Sequence, residues 1–215
     1  MTNETDNDTR ARHLRISDPS PWVERFAPLI KTGGTALDLA CGGGRHTRYL
    51  LEKGYKMVAL DRLTDTVADL ERNPACEIIT ADLEGAEPVF NNSGALAGRT
   101  FDGIIVVNYL HRELFENLIK AVRPGGAFIY ETFARGNEVF TRPRNPDHLL
   151  KSGELLNLVK DKMQIVAYEH GIIEKGPIPG VIQRICAVRD DHAGVREDGE
   201  PAPCPVHPSE TGPAK

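Results

Sequence analysis

A short apolar stretch, Thr35 to Ala40, follows a Gly33-Gly34 break and runs straight into Cys41-Gly42-Gly43-Gly44 and a helical sequence from about Arg45 to Lys53. Buried strand, glycine turn and helix in that order make one βα step, the repeating unit of an open parallel sheet. The glycines let the backbone bend sharply and approach a ligand without a Cβ in the way. The helix start offers its unpaired amides to whatever sits there. Asp38 ends the strand beside this loop, where its charge would repel a diphosphate. A ligand with an ammonium group and no phosphate fits better. Counted from Gly42, the dinucleotide pattern Gly-x-Gly-x-x-Gly needs a third glycine where this chain has Thr47, so that match is incomplete.

The rest of the chain continues the alternation. Ser20-Pro21 starts a helix with Trp22, Phe26 and Leu29 on one face, and Pro28 ends it early. Met57 to Asp61 reads as a second strand, Thr64 caps a helix through Leu70, and Glu77 to Ala81 is a third strand ending at Asp82. Ile104 to Val107 is a continuous apolar run, as in a strand buried on both faces. Leu110, Leu114, Leu118 and Val122 give the next helix an apolar stripe, and Arg123-Pro124-Gly125-Gly126 leads into a strand from Ala127 to Thr132. Ser152 caps a helix to about Lys160. Met163 to Glu169 and Val181 to Val188 have no helix between them and should pair antiparallel. Five βα steps and this pair predict an α/β fold: a doubly wound, mostly parallel, seven-stranded sheet with one antiparallel strand.

The chain's 215 residues suit one domain with tails, read as 1–12, 13–190 and 191–215, the outer two polar or proline-rich and disordered. A net charge of −5 gives no general attraction for nucleic acid, and no apolar run approaches the length of a membrane span. Met1 to Arg10 lacks the basic start and apolar middle of a signal peptide, which makes the cytoplasm the expected location. Cys41, Cys76, Cys186 and Cys204 are scattered without metal-ligand spacing, and Cys204 with His207 makes only half a site, so no metal is expected.

The run Leu37-Asp38-Leu39-Ala40-Cys41-Gly42-Gly43-Gly44, with Ala59-Leu60-Asp61, Ala81-Asp82-Leu83 and Phe101-Asp102-Gly103-Ile104-Ile105, resembles the class I S-adenosylmethionine-dependent methyltransferases over roughly Leu37 to Arg189. Pro21-Trp22, Asn108-Tyr109-Leu110, Glu131 to Glu138 and Arg142 to Asp147 are similar to a group of small bacterial proteins described as similar to tellurite-resistance methyltransferases. The resemblance implies a Rossmann-like methyltransferase fold, S-adenosylmethionine as cofactor and S-adenosylhomocysteine as product. It also implies cofactor contacts from Asp38, Ala40, Gly42, Gly44, Asp61, Arg62, Asp82, Leu83 and Asn108. Asp38 would hold the methionine ammonium, Asp61 the ribose hydroxyls, and Asp82 with the Leu83 amide the adenine. Asp61 also reads as a helix-start or surface acid, and Asp82 as a turn cap.

Methyl transfer from a sulfonium requires alignment more than acid–base chemistry, and a base only if the acceptor loses a proton. Tyr109 and His111, just past the fourth strand, are the candidate catalytic groups; His111 reads equally as a solvated helix-start residue. Trp22, Arg112, Arg135 and Arg142, with Arg144 and His148 in the long segment 132–148, are the candidate substrate residues. Guanidinium groups favour oxyanions, so the expected acceptor is a small anionic or polar molecule, with neither nucleic acid nor membrane as partner. Some members of the resembled family that methylate amino groups carry Asn/Asp-Pro-Pro-Tyr/Phe here; this chain has Asn108-Tyr109-Leu110-His111, so the resemblance implies that the acceptor is not an adenine or a glutamine amide. A cofactor-binding domain with a regulatory or scaffold role, and a nucleotide-dependent oxidoreductase, are the alternatives. Thr47 and Asp38 disfavour the second.

Overall fold

Alternating strand residues divide between two cores. In β1 (Thr35–Leu39), Leu37 and Leu39 enter one core and Ala36 the other. In β4 (Phe101–Val107), Ile104 and Val106 face the first core, and Ile105 and Val107 the second. A sheet apolar on both faces must be covered on both. The second face is covered by α1 (Pro21–Phe26) and α2 (Arg45–Glu52), through Trp22, Val23, Phe26 and Leu50. The first is covered by α3 (Phe115–Ala121) and α4 (Glu154–Val159), through Leu118, Ile119, Leu155 and Val159. This computed structural model describes residues 11, 13–175, 177–190 and 199–209. Among these, no helix is long and apolar enough to cross a membrane.

The remaining strands are β2 (Lys56–Asp61), β3 (Cys76–Thr80), β5 (Val122–Phe133), β6 (Gln164–Ile173) and β7 (Gly180–Val188). Sheet order is β3-β2-β1-β4-β5-β7-β6. All pairs are parallel except those of β7, which runs antiparallel to both β5 and β6. The expected doubly wound sheet with one reversed strand is therefore present. Its strand order reverses between β1 and β4, leaving a crevice at their carboxyl ends, where such sheets bind ligands.

Several local expectations are corrected. The third crossover, residues 81–100, contains turns and no helix. Asp65–Arg72 is a 3-10 helix, and Thr64 does not cap it, because its hydroxyl bonds to that of Thr80 at 2.7 Å. Val122 opens β5 instead of closing the preceding helix. The residues after it form an irregularity beside Asp102, whose carboxylate accepts from the Thr35 amide and Arg123, both at 2.8 Å. Gly153, left-handed, precedes α4 where Ser152 was expected to cap it. Residues 199–209 of the expected C-terminal tail contact the domain: the Val206 carbonyl accepts from Arg25 at 2.9 Å and 3.0 Å. Of the expected tails, residues 1–10, 12, 191–198 and 210–215 lie outside the described residues.

Trp22 belongs to the core. It is 1% exposed, stacks edge-on against Phe26 at 4.6 Å, and donates its indole N–H to the Ile185 carbonyl at 3.1 Å. Arg184 covers its ring at 4.7 Å. The expected substrate role therefore has no surface on which to act.

One joint places the glycine turn. Asp38 points from β1 toward α2, where its Oδ2 accepts from both the Thr47 amide (3.1 Å) and the Thr47 hydroxyl (2.7 Å). A glycine at 47 would supply only the amide. Burial raises the Asp38 carboxyl from 3.8 to about 6, against the lowering by the Thr47 bonds and Arg45. Because the folded value lies above the unfolded one, ionised Asp38 costs stability. The cost is absent below about pH 4, grows as pH rises through about 6, and reaches on the order of 3 kcal/mol.

Two stability measurements follow. Asp38→Asn keeps an oxygen for both Thr47 donors and removes the titration. Between pH 4.5 and 7.5, ligand-free wild type should lose about 2 kcal/mol more stability than the variant in urea unfolding. Equal pH dependence of the two proteins would refute this account of Asp38. Trp22→Phe leaves the Ile185 carbonyl without its donor and a gap beside it, and should cost about 1–3 kcal/mol.

Candidate active site

The crevice opens into a cavity of about 400 Å³ along the carboxyl ends of β3, β2, β1, β4 and β5. Two strained residues mark its centre. Ala40 and Asn108, immediately after β1 and β4, have φ of 55° and 59°, and both line the cavity. A non-glycine residue in the left-handed region costs about 1–2 kcal/mol, and such strain gathers at functional sites. Gly44, the N-cap of α2, must be glycine: its φ is 72°, and a Cβ there would lie 2.5 Å from Val67. The turn is held from β2 as well. Asp61 accepts from the Gly42 amide at 2.9 Å and the Leu63 amide at 3.0 Å, and Thr66 donates to the Gly42 carbonyl at 2.8 Å.

Charge is divided along the cavity. Its carboxylates, Asp61, Asp82 and Glu84, lie at the β2 and β3 end, with Arg62 beside them. Asp82 accepts from the Glu84 amide at 3.0 Å, so it caps a turn while facing the cavity. Arg45 and His46, at the start of α2, also line it. Burial, then Arg45, lowers the His46 imidazole to about 3, so it is neutral near pH 7. Its Nε2 accepts from the Ser20 amide at 3.2 Å, and Arg45 donates to the Asp18 carbonyl at 3.0 Å. These two bonds pin residues 18–20 against the start of α2. Residues 13, 14 and 16 complete the wall, and Leu14 packs 3.4 Å from where a Gly43 Cβ would stand.

Past β4 stands Tyr109, its carbonyl gripped by the Tyr130 hydroxyl at 2.7 Å and its own hydroxyl donating to Glu84 at 3.2 Å. Burial and the neighbouring Glu84 raise this phenol, so it remains protonated and acts as a donor. It is not placed to be a base.

Of the residues expected from the sequence, Ala40, Gly42, Asp61, Arg62, Asp82, Leu83, Asn108 and Tyr109 line this one cavity. Asp38 and Gly44 stand behind the loop and shape it. His111, Trp22, Arg112, Arg135 and Arg142 do not line it. His111 lies 3.9 Å from the exposed Glu113. Arg112 is bound to Glu154 at 2.5 Å and 3.0 Å, and Arg135 and Arg144 are exposed. The segment 132–148 contributes Thr132, Phe133, Pro143 and His148 instead of its arginines. Sequence reasoning missed His13, Arg45, His46 and Glu84. Arg45 and His46 adjoin the glycine loop and could have been found there, whereas His13 carries no motif. Among the described residues, no group of three His, Cys, Asp or Glu side chains could hold a metal ion.

Residues 11–165 match a family model described as a methyltransferase domain. No curated protein sequence matches the chain. Among solved structures it is similar in fold to TehB from Haemophilus influenzae, with TM-score 0.62 and 19% identity over 86% of this chain and 67% of that one. The N-methyltransferase NodS from Bradyrhizobium japonicum WM9 gives TM-score 0.57 and 13% identity over 86% and 99%. A Burkholderia thailandensis 1,6-didemethyltoxoflavin-N1-methyltransferase, solved with 1,6-didemethyltoxoflavin and S-adenosylhomocysteine bound, gives 0.56 and 17% over 89% and 92%. At such identities the structural likeness carries the fold alone. The family model spans most of the chain, and it places this protein among the methyltransferases: the chain belongs to the methyltransferase-domain family.

Proposed function

We propose that this protein transfers a methyl group from S-adenosylmethionine, the cofactor of the class I family its sequence resembles, to a small molecule. The carrying observation is the pair Asp61, which ends β2, and Asp82, two residues past β3, which face one cavity that begins at the glycine turn. A carboxylate at the end of β2 can accept from a ribose diol, and one past β3 from an adenine amino group. The glycine turn and Asn108 lie beside the amino-acid portion. The cofactor supplies an activated methyl on a sulfonium. The chain holds the ligand, excludes water and aligns the acceptor.

Asp38 supports the reading indirectly. Buried and costly to ionise, it stabilises the loop through Thr47, and an ammonium group nearby would favour its charged form. The acceptor is small, because a cavity of 400 Å³ that takes a nucleoside-bearing cofactor leaves little room beside it. The anionic class expected from Arg112, Arg135, Arg142 and Arg144 loses its carriers, since none of them lines the cavity. The four cysteines are free thiols, in keeping with the expected cytoplasmic setting.

Calorimetry with S-adenosylhomocysteine and with NAD and NADP tests the cofactor. Only the first should bind. Asp61→Asn, with one acceptor oxygen in place of two, should weaken it about tenfold or more. Preferential binding of a dinucleotide, or full affinity in the variant, would overturn the reading.

A further inference from the structure

The cavity's β5 end has a chemistry of its own. Its wall is made by His13, Tyr109, Thr132, Phe133, Pro143 and His148. The carboxylates and arginines that line the cavity follow β1, β2 and β3, and of them Glu84 reaches this wall, accepting from the Tyr109 hydroxyl at 3.2 Å. Rings dominate here: two imidazoles, a phenol, a phenyl and a proline.

Both histidines are referenced to Phe133, near the end of β5. The His13 ring lies 6.4 Å from the Phe133 ring, tilted by 46°. The Phe133 carbonyl accepts from the Leu150 amide at 3.0 Å, Arg135 donates its amide back to the Leu150 carbonyl at 3.0 Å, and Ala134 bridges Leu150. His148, two residues before Leu150, is thereby carried to the same end of the cavity.

A second fixture acts on His148. The Arg112 guanidinium donates to the carbonyls of Asp147 (2.5 Å) and Leu149 (2.9 Å), the residues on either side of it. Glu154 holds the rest of that guanidinium with both carboxylate oxygens. Within the turn, Asn145 caps the Asp147 amide at 3.0 Å, and the His148 amide donates to the Asn145 carbonyl at 3.0 Å. The clamp seats the buried Leu149, and it also fixes the backbone on both sides of His148, whose exposed side chain stands at the cavity wall. A side chain presented to a ligand gains from this, because recognition depends on its position being set in advance.

We infer that the methyl acceptor is a small, uncharged, planar ring-bearing nucleophile, seated at the β5 end of the cavity and recognised by His148 and His13. Arg112 serves as the positioning residue for His148. Ring walls favour a flat ligand through dispersion and edge contacts. Imidazoles, which can donate or accept, suit a polar ring substituent better than a full charge. The inference rests on the methyltransferase reading and names its substrate class.

The test measures methyl transfer at pH 7 from radiolabelled S-adenosylmethionine to 4-mercaptopyridine, catechol and aniline, all uncharged at that pH. These are compared with 2-mercaptoethanol, ethanolamine and selenite, while calorimetry follows S-adenosylhomocysteine. At least one ring-bearing probe should be used about tenfold better than any non-ring probe, the scale of a few good contacts. His148→Ala should raise its KM about tenfold, with kcat and S-adenosylhomocysteine affinity changed by no more than about twofold. His13→Gln should act in the same direction. Arg112→Lys, which cannot fork to two carbonyls, should raise KM without a matching loss of cofactor affinity, and should add little to His148→Ala. Transfer confined to selenite or aliphatic probes, no transfer to any ring probe, or an unchanged KM in His148→Ala would overturn the proposal. Additive effects of Arg112→Lys and His148→Ala would remove Arg112 from it. Failure of wild type to bind S-adenosylhomocysteine would overturn the underlying reading instead, and the calorimetry separates that result.

Discussion

The bond between Asp38 and Thr47 is the constraint on which the rest of the site depends. A strand that ends in the core and a helix that starts beside it must be joined by a turn tight enough to leave both packed. Ala40, Gly42 and Gly44 all adopt positive φ to make that turn. Such a backbone persists only when its surroundings over-determine it. Asp38 supplies the inner hold through Thr47, and Asp61 the outer one through the Gly42 amide. The inner hold is a carboxylate in a dry interior, with its proton affinity raised to about 6. Stability is spent there on the geometry of a cavity.

Sheet order turns this local joint into a site. The reversal between β1 and β4 puts two left-handed residues, Ala40 and Asn108, at the centre of one crevice. Acids then fall to one side, at the ends of β2 and β3, and rings to the other, past β4 and β5. A polar, hydroxyl-bearing ligand portion and an uncharged acceptor would thus be drawn to opposite ends. The Tyr109 phenol, kept protonated by burial and Glu84, stands between these two environments as a hydrogen-bond donor.

The arginines near the expected acceptor segment do not line the cavity. Arg135, Arg142 and Arg144 lie in the segment expected to border the acceptor and Arg112 follows the fourth strand, and the paired donors of a guanidinium make such arginines look like oxyanion ligands. In the fold, Arg112 spends its donors on Glu154 and on the carbonyls beside His148. A guanidinium serves internal carbonyls and external anions with the same geometry, so its sequence position cannot distinguish the two. Trp22 was misread for a related reason: a large aromatic near a site suits a core and a pocket equally well.

The sequence by itself determined the class of fold, the glycine turn and the acids that follow successive strands. These depend on local chemistry: strand periodicity, the backbone freedom of glycine, and a carboxylate at a strand end. Asp61, Asp82 and Asn108 could therefore be named from their neighbours in the chain. Tertiary structure alone decided which side chains share the cavity. His13, Phe133 and His148 are far apart in sequence and meet through β5 and a backbone pairing at Leu150. It also decided that Asp38 and Gly44 stand behind the loop, because a side chain's facing is set by the packing of β1 against α2. Packing and burial are properties of the assembled layers, and no window of sequence contains them.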